Sequence, residues 1–236
     1  MTSDSAQRFL TALQLADSFF PSGMYAHSHG LESMVSRGWV RGACKVEGYL
    51  RSLLVWSVLP SDGVALVNAR AAAQMGDLKT ASDIDWHLYS MKLPEELRLA
   101  SCLAGRRILD ETTPLLAHRV GSSVCTHFRQ LVGDRETPGT GAVALGVVAH
   151  AAGIDGATAL LGFCHSFAVG VLGAAQRLLP LTHSEAQQIL YSLHEPVADM
   201  VSEIEARHWQ DMTSFTPQAD IASMLHQHDE VRMFAS

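Results

Sequence analysis

A serine between two histidines is the first candidate for chemistry in this sequence. Ser28 lies between His27 and His29, and a serine activated by a neighbouring base can act as a nucleophile. The G-x-S-x-G elbow of hydrolases needs a first glycine and a preceding strand, and the segment from Ala26 to Gly30 offers neither. Residues adjacent in sequence also rarely reach the geometry of a base and its nucleophile. Hydrolysis at Ser28 is therefore kept only as an alternative.

Two histidine pairs, His27/His29 and His226/His228, are the candidate metal ligands. Metal sites on helices use histidines three or four residues apart, and the 12 histidines contain no such pair. Histidines two residues apart can chelate weakly in an extended chain, but neither pair has further ligands beside it in the sequence. Exposed or hydrogen-bonded histidines are the favoured interpretation, and direct metal binding stays an alternative.

Other catalytic and cofactor motifs are missing from the sequence. There is no G-x-x-x-x-G-K-[ST] phosphate loop, which excludes a P-loop nucleotidase, and no pair of carboxylates stands out as an acid/base couple. The four cysteines form no C-x-x-C pair and are expected to be buried thiols in a reducing compartment. They are Cys44, Cys102, Cys125 and Cys164. The sequence predicts a protein that is not an enzyme.

Composition narrows the class further. The chain has 236 residues, 17 basic and 24 acidic side chains and a formal net charge of −7, which argues against a nucleic-acid partner. Apolar content of 47% with 17% charged residues excludes a disordered chain, and the length supports one sizeable core. The N-terminus carries Asp4 where a signal peptide needs basic residues, so we expect a cytoplasmic protein.

Two stretches, 137–154 and 156–176, are nearly free of charge and could form a membrane hairpin by length alone. Both contain many small residues, and the second also contains His165 and Ser166, which lowers the gain from transfer into lipid. A helix that is apolar on every side is also typical of a core helix. We therefore expect no membrane association, with the hairpin as an alternative.

Helical periodicity dominates the chain, and no alternating stretch is long enough for a sheet. We predict an all-α, single-domain bundle of about nine or ten helices over residues 1–215, around a central helix at 156–179. Gly162, Ser166, Gly170 and Ala174 lie four residues apart there and would allow close helix approach. Residues 216–236 are predicted to be a tail that adds few core contacts and is flexible until it binds a partner.

Prolines set three of the predicted boundaries. Pro60 should end one helix, with Ser61 or Asp62 opening the next. Pro94 should open a helix that runs to about Asp110. Thr112 or Thr113, before Pro114, should open another that ends at Leu131, ahead of a loop at 133–141.

The segment 13–32 has an unusual composition for a turn between helices. Pro21 and Gly23 interrupt the first helix, and aromatic and hydroxyl side chains follow where a loop normally carries solvated charges. The segment resembles the pattern P-x-G-x-[FY]-x-[YH]-S-x-G-L-E of the urease accessory protein UreF family. The matching residues are Pro21, Gly23, Tyr25, His27, Ser28, Gly30, Leu31 and Glu32.

The resemblance covers nearly the whole chain. Residues 94–98 and 105–109 resemble the family's P-E-x-R…G-R-x-L-L helix, and 146–154 its middle block. Residues 175–187 are similar to its R-L-x-P-L-G-Q block, although Thr182 and His183 replace the usual Gly-Gln. The ending 229–236 is similar to its terminal R-x-F-x-S motif.

This resemblance implies a function without catalysis. Members of the family bind the accessory protein UreD (also called UreH) and the GTPase UreG, and present the assembly to apo-urease. GTP hydrolysis is thereby coupled to nickel insertion, while nickel and GTP are handled through UreG, so no tightly bound cofactor is expected here. The family also forms helical homodimers, and its C-terminal tail docks on UreD.

The resemblance also implies a set of partner-binding residues, because aromatic and arginine side chains often anchor interfaces. They are Pro21, Gly23, Tyr25, His27, Ser28, Glu32, Arg177, Arg232 and Phe234. Arg177 could equally stabilise the negative end of its own helix. A nickel-binding metallochaperone that uses His27/His29 and His226/His228 directly is the alternative function.

Overall fold

The computed structural model describes residues 2–23, 27–229 and 233–234, and within these ranges the chain is α-helical without strands. The helices are α1 (Ser3–Ala16), α2 (Leu31–Ser36), α3 (Ala43–Leu53), α4 (Val64–Gln74), α5 (Leu78–Met91), α6 (Glu95–Leu115), α7 (Ser122–Gly133), α8 (Gly141–Ala152), α9 (Gly156–Leu178), α10 (His183–Ser192), α11 (His194–Ala206) and α12 (Pro217–His226). A 3-10 turn, Trp209–Asp211, precedes α12. The prediction of an all-α single domain is confirmed.

Two predicted boundaries were wrong because proline did not end its helix. Pro60 lies inside a π-helical segment, Leu54–Gly63, which joins α3 to α4 in one continuous helix. The wider π-helical turn accommodates a residue that cannot donate a backbone hydrogen bond. Pro114 likewise lies in the last turn of α6, which extends to Leu115, so the next helix begins only at Ser122.

Local capping explains several helix starts. The Asp155 carboxylate accepts a hydrogen bond from the backbone N–H of Thr158 at 2.8 Å and thereby caps α9. Thr182, one of the departures from the resemblance, caps α10 in a reciprocal capping box with Glu185. Gly153 ends α8 in the left-handed conformation at a φ of 72°.

The closest helix packing lies between α8 and α4. A Cβ on Gly146 would overlap the carbonyl oxygen of Leu66 and lie 3.1 Å from the backbone nitrogen of Arg70, so the two backbones are nearly in contact. Nearly every residue of α8 is buried. The row of small residues predicted on α9 is less tightly packed where it begins, at Gly162. A Cβ there would lie 3.4 Å from the Cβ of Ala16 in α1. Gly146 of α8 therefore sets the distance between α8 and α4.

A buried carboxylate fixes the loop before α8. Asp85, which lies on α5 and has no exposed surface, accepts hydrogen bonds from the hydroxyls of Thr137 (2.7 Å) and Thr140 (2.5 Å) and from the backbone N–H groups of Gly139 (2.5 Å) and Thr140 (2.8 Å). Burial raises the pKa of this carboxyl, and the four donors oppose the rise. The same loop passes so close to α6 that a Cβ on Gly105 would overlap Gly139.

Two helices are long and apolar enough to cross a membrane by composition. They are Ala43–Gln74 and Gly156–Leu178, and 72% and 56% of their most apolar windows are buried inside the protein. The first arm of the hairpin alternative contains only α8, whose 12 residues span about 18 Å, less than a hydrocarbon core of about 30 Å. More than half of each of the two apolar windows is thus covered by the rest of the protein.

The segment after residue 216 contributes to the core, contrary to expectation. Residues 217–226 form α12, which packs against α2 and buries Ala219, Ala222 and His226. A Cβ on Gly30, which adopts a φ of 83°, would lie 2.8 Å from the carbonyl oxygen of Ala219. This contact requires glycine at position 30. Flexibility of the tail before a partner binds stays a prediction.

We predict that Asp85→Asn destabilises the protein by about 3 kcal/mol, because the amide NH2 would face buried donors that lose their acceptor. Equilibrium unfolding in urea measures this change. Asp83→Asn is the matched control, since Asp83 lies on the same helix and makes an exposed ion pair with Lys79, which contributes little to stability. Equal midpoints for the two variants would show that the loop does not depend on Asp85.

Candidate functional site

The segment between α1 and α2 places its predicted residues in different environments. Pro21 is exposed. Gly23 adopts a φ of 79° and lies against the guanidinium of Arg107 on α6, which leaves no room for a side chain unless that arginine moves. Tyr25 lies outside the described residues. This part of the segment therefore presents an exposed proline and, two residues later, a glycine that lies against an arginine of α6.

Ser28 has a structural role. Its side chain is fully buried, its Oγ accepts a hydrogen bond from the backbone N–H of Glu32 at 3.4 Å, and its carbonyl accepts one from Leu31 at 3.0 Å. It thus helps to cap the first turn of α2. A buried capping hydroxyl does not fit the exposed nucleophile that the hydrolase alternative needs, and the segment before it, as far as it is described, contains no strand.

The ring of His29 packs against Phe167 of α9, with centroids 4.6 Å apart. Burial, together with His27 and Lys92 nearby, lowers the pKa of His29 from its ordinary value to about 3. The ring is therefore neutral in the folded protein at physiological pH. His27 is half-buried and lines the same cavity as His29.

Glu32 is the point to which the end of the chain is bound. Its carboxylate lies 2.9 Å from Nε2 of His226 and accepts hydrogen bonds from the backbone N–H groups of Met233 (2.8 Å) and Phe234 (3.1 Å). His226 is fully buried, and its Nδ1 lies 3.3 Å from a carboxylate oxygen of Glu96 on α6. One acidic side chain of α2 therefore contacts both α12 and the residues beyond it.

Two further contacts complete the attachment. The guanidinium of Arg177, at the end of α9, lies 5.6 Å from the ring centroid of the buried Phe234, which is within cation–π distance. Arg37 donates two hydrogen bonds to Asp229, at 2.9 and 3.2 Å, and the hydroxyl of Ser33 donates a third at 2.9 Å. This geometry is bidentate and charge-assisted, the stronger form of an ion pair.

We call these residues the tail-anchoring cluster. Its members are Glu32, Arg37, Arg177, His226, Asp229 and Phe234. Sequence analysis had selected Glu32, Arg177 and Phe234, which the fold brings together, and had missed Arg37 and Asp229. The opposite charges of Arg37 and Asp229 were visible in the sequence, but their 192-residue separation gave no reason to pair them. Arg232 lies outside the described residues.

The metal alternative gains no support from this geometry. Both ring nitrogens of His226 face carboxylate oxygens of its own fold, and the ring of His29 is packed on Phe167. Within residues 2–23, 27–229 and 233–234, no three His, Cys, Asp or Glu side chains are grouped as metal ligands.

The fold and the site define a helical protein whose candidate residues bind a peptide segment through ion pairs, hydrogen bonds and an aromatic contact. The UreF family model matches residues 40–194, which is more than half of the chain. The chain belongs to the UreF family of urease accessory proteins.

Similar proteins cover almost the whole sequence. Urease accessory protein UreF 2 of Brucella canis is 32% identical over 225 residues, covering 95% of this chain and 90% of that protein. Urease accessory protein UreF of Photorhabdus laumondii is 28% identical over 232 residues, covering 98% of this chain and 100% of the relative. The protein of that name from Trichodesmium erythraeum is 31% identical over 237 residues, covering 96% of each chain. The family expected from the sequence is confirmed.

Removing the Glu32 carboxylate should free the end of the chain. We expect Glu32→Ala to accelerate backbone amide hydrogen exchange in α12 by about tenfold or more, because His226, Met233 and Phe234 lose their shared partner. Exchange read by mass spectrometry on peptides from 217–229 measures this. Glu111→Ala, at an exposed position of α6, is the control, and equal exchange in both variants would contradict the role given to Glu32.

Acid should destabilise the protein through His29. Its folded-state pKa is lowered, so below about pH 6.5 the unfolded chain takes up a proton that the folded ring does not. This proton uptake should lower the free energy of unfolding by about 1 kcal/mol between pH 6.5 and 5.5. His29→Gln should remove this contribution. Urea unfolding at the two pH values tests the prediction, with the exposed His118→Gln as control. The same pH slope in His29→Gln as in the unaltered protein would contradict it.

Proposed function

We propose that this protein is a scaffold without catalytic activity in urease maturation. In this proposal it joins UreD and the GTPase UreG to apo-urease and couples GTP hydrolysis to nickel insertion. The observation that carries the proposal is family membership across the chain, with relatives named urease accessory protein UreF over 95–98% of its length. The candidate residues support it, because Glu32, Arg177 and Phe234 make contacts between separate segments of the chain.

Further parts of the proposal concern cofactors, assembly and location. The chain would bind no cofactor tightly, and nickel and GTP would be handled through UreG. It would act as a homodimer in the cytoplasm, without nucleic acid or membrane as partner. The net charge of −7 supports the exclusion of nucleic acid.

Co-purification of this chain with UreD and UreG, followed by GTP turnover and urease activation with and without it, tests the whole proposal. Activation that does not depend on this chain would refute it.

The outer face of the tail is the surface we assign to UreD. Ile221 and Met224, three residues apart on α12, are exposed while the opposite face of the helix is buried. Met233, near the end of the chain, is also exposed. Exposed apolar side chains on a helix that is itself held by ion pairs are suited to burial by a partner protein. The contact would therefore use the tail in its docked position.

The surface assigned to UreG or to the second copy lies around Arg177. This arginine is exposed at the C-terminal end of α9 and contacts Phe234 with its guanidinium. The exposed Pro21, with Gly23 beside Arg107, would contribute to the same partner-binding function. Arginine at the edge of a docked aromatic side chain is a common anchor in interfaces.

Acidic substitutions on α12 test the UreD surface. We expect the double variant Ile221→Glu/Met224→Glu to reduce UreD co-purification at least tenfold, because two charges would be buried without partners in the interface. Gln218→Glu, exposed on the same helix, is the matched control, and far-ultraviolet circular dichroism verifies that the helices are retained. Full UreD binding by the folded double variant would remove this surface from the proposal.

A further inference from the structure

A cavity with a mixed apolar and polar lining lies where the π-helical segment, α6 and α12 meet. Its volume is about 100 Å³. The polar and charged side chains that line it include His27, His29, Asp62, Lys92, Asp220 and Ser223. Five of these, all but Ser223, are of ionisable type. Asp62, Lys92 and Asp220 come from the π-helical segment, the end of α5 and α12, so a group of polar side chains lies within a wall that is otherwise mainly apolar.

An ion pair forms part of the cavity wall. The Lys92 ammonium lies 2.8 Å from both carboxylate oxygens of Asp62, and the two side chains are only 19% and 10% exposed. The hydroxyl of Ser61 also donates to Asp62, at 3.1 Å. Removing such a pair from water is unfavourable unless the remaining donors and acceptors are satisfied. The ammonium has three N–H groups, and a carboxylate can accept about four hydrogen bonds.

The wall contributed by α12 holds an unsatisfied hydroxyl. Ser223 is fully buried, and its Oγ has no hydrogen-bond partner among the described residues. On one side this oxygen lies against Gly30, 2.8 Å from the position a Cβ would take there, and Ser223 also lines the cavity. Buried hydroxyls without a partner are rare in folded proteins and usually mark an ordered water.

We propose that this cavity is a water-binding site in which ordered waters link Ser223 of α12 to the Asp62–Lys92 ion pair. A volume of about 100 Å³ holds about three waters at the liquid density of roughly 30 Å³ each. The serine, the ion pair and the Asp220 carboxyl all line this cavity and would supply the hydrogen-bond partners of these waters. The waters hydrate a buried charge pair and at the same time bind α12 to the bundle. This inference does not depend on the proposed role in urease maturation.

The sign of a stability change distinguishes a hydrated cavity from a dry one. If waters bind Ser223, Ser223→Ala loses a hydrogen bond, and the unfolding equilibrium constant should rise about two- to tenfold. If the cavity is dry, the same change removes an unsatisfied hydroxyl and the constant should fall. Alanine also favours helices more than serine does, so the effect is read relative to Ser202→Ala, an exposed position in α11. A fall relative to that control would overturn the proposal.

A crystal structure of the full chain at high resolution, alone or with its partners, provides the direct measurement. We expect ordered waters within hydrogen-bond distance of Ser223 Oγ and of Asp62 or Lys92. In Ser223→Ala crystals the water next to position 223 should be lost or weakened. A cavity without water density in the unaltered protein would overturn the proposal, whatever the stability measurement gives.

Discussion

The arrangement of the core depends on the buried Asp85 carboxylate. It accepts hydrogen bonds from Thr137, Gly139 and Thr140, and these residues lead directly into α8, the most fully buried helix of the bundle. The position of α8 in turn sets that of α4, which approaches it closely at Gly146. A carboxylate buried with four donors is tolerated where one without partners would not be. These four hydrogen bonds thus fix the start of the helix around which the apolar core is built.

A second set of polar contacts holds the end of the chain. The tail-anchoring cluster holds the end of the chain on the bundle through the bidentate Arg37–Asp229 pair, the Glu32 acceptor and the Arg177–Phe234 contact. Charged pairs that remain partly exposed contribute modest stability. The attachment of the tail is therefore weaker than that of the loop held by the buried Asp85 carboxylate. Such a surface suits a protein that acts through its partners, which agrees with membership of the UreF family.

Family resemblance and periodicity were enough to predict the helical class and the single domain. These two signals failed where the conformation or burial of a residue depends on its surroundings in the folded protein. Pro60 normally ends a helix, yet here a π-helical segment carries the chain through it. The family resemblance made Ser28 a candidate partner-binding residue, whereas its complete burial and its hydrogen bond from the Glu32 amide give it a capping role.

The sequence by itself determined what can be determined locally. Apolar spacing, caps such as Asp155 and small residues specified helices and a core, because these depend on residues within a few turns of one another. Only the tertiary structure decided that Glu32 meets Phe234 and that Arg37 meets Asp229, across about 200 residues of chain. Contacts at that separation depend on how all the intervening helices pack, so no local sequence pattern predicts them.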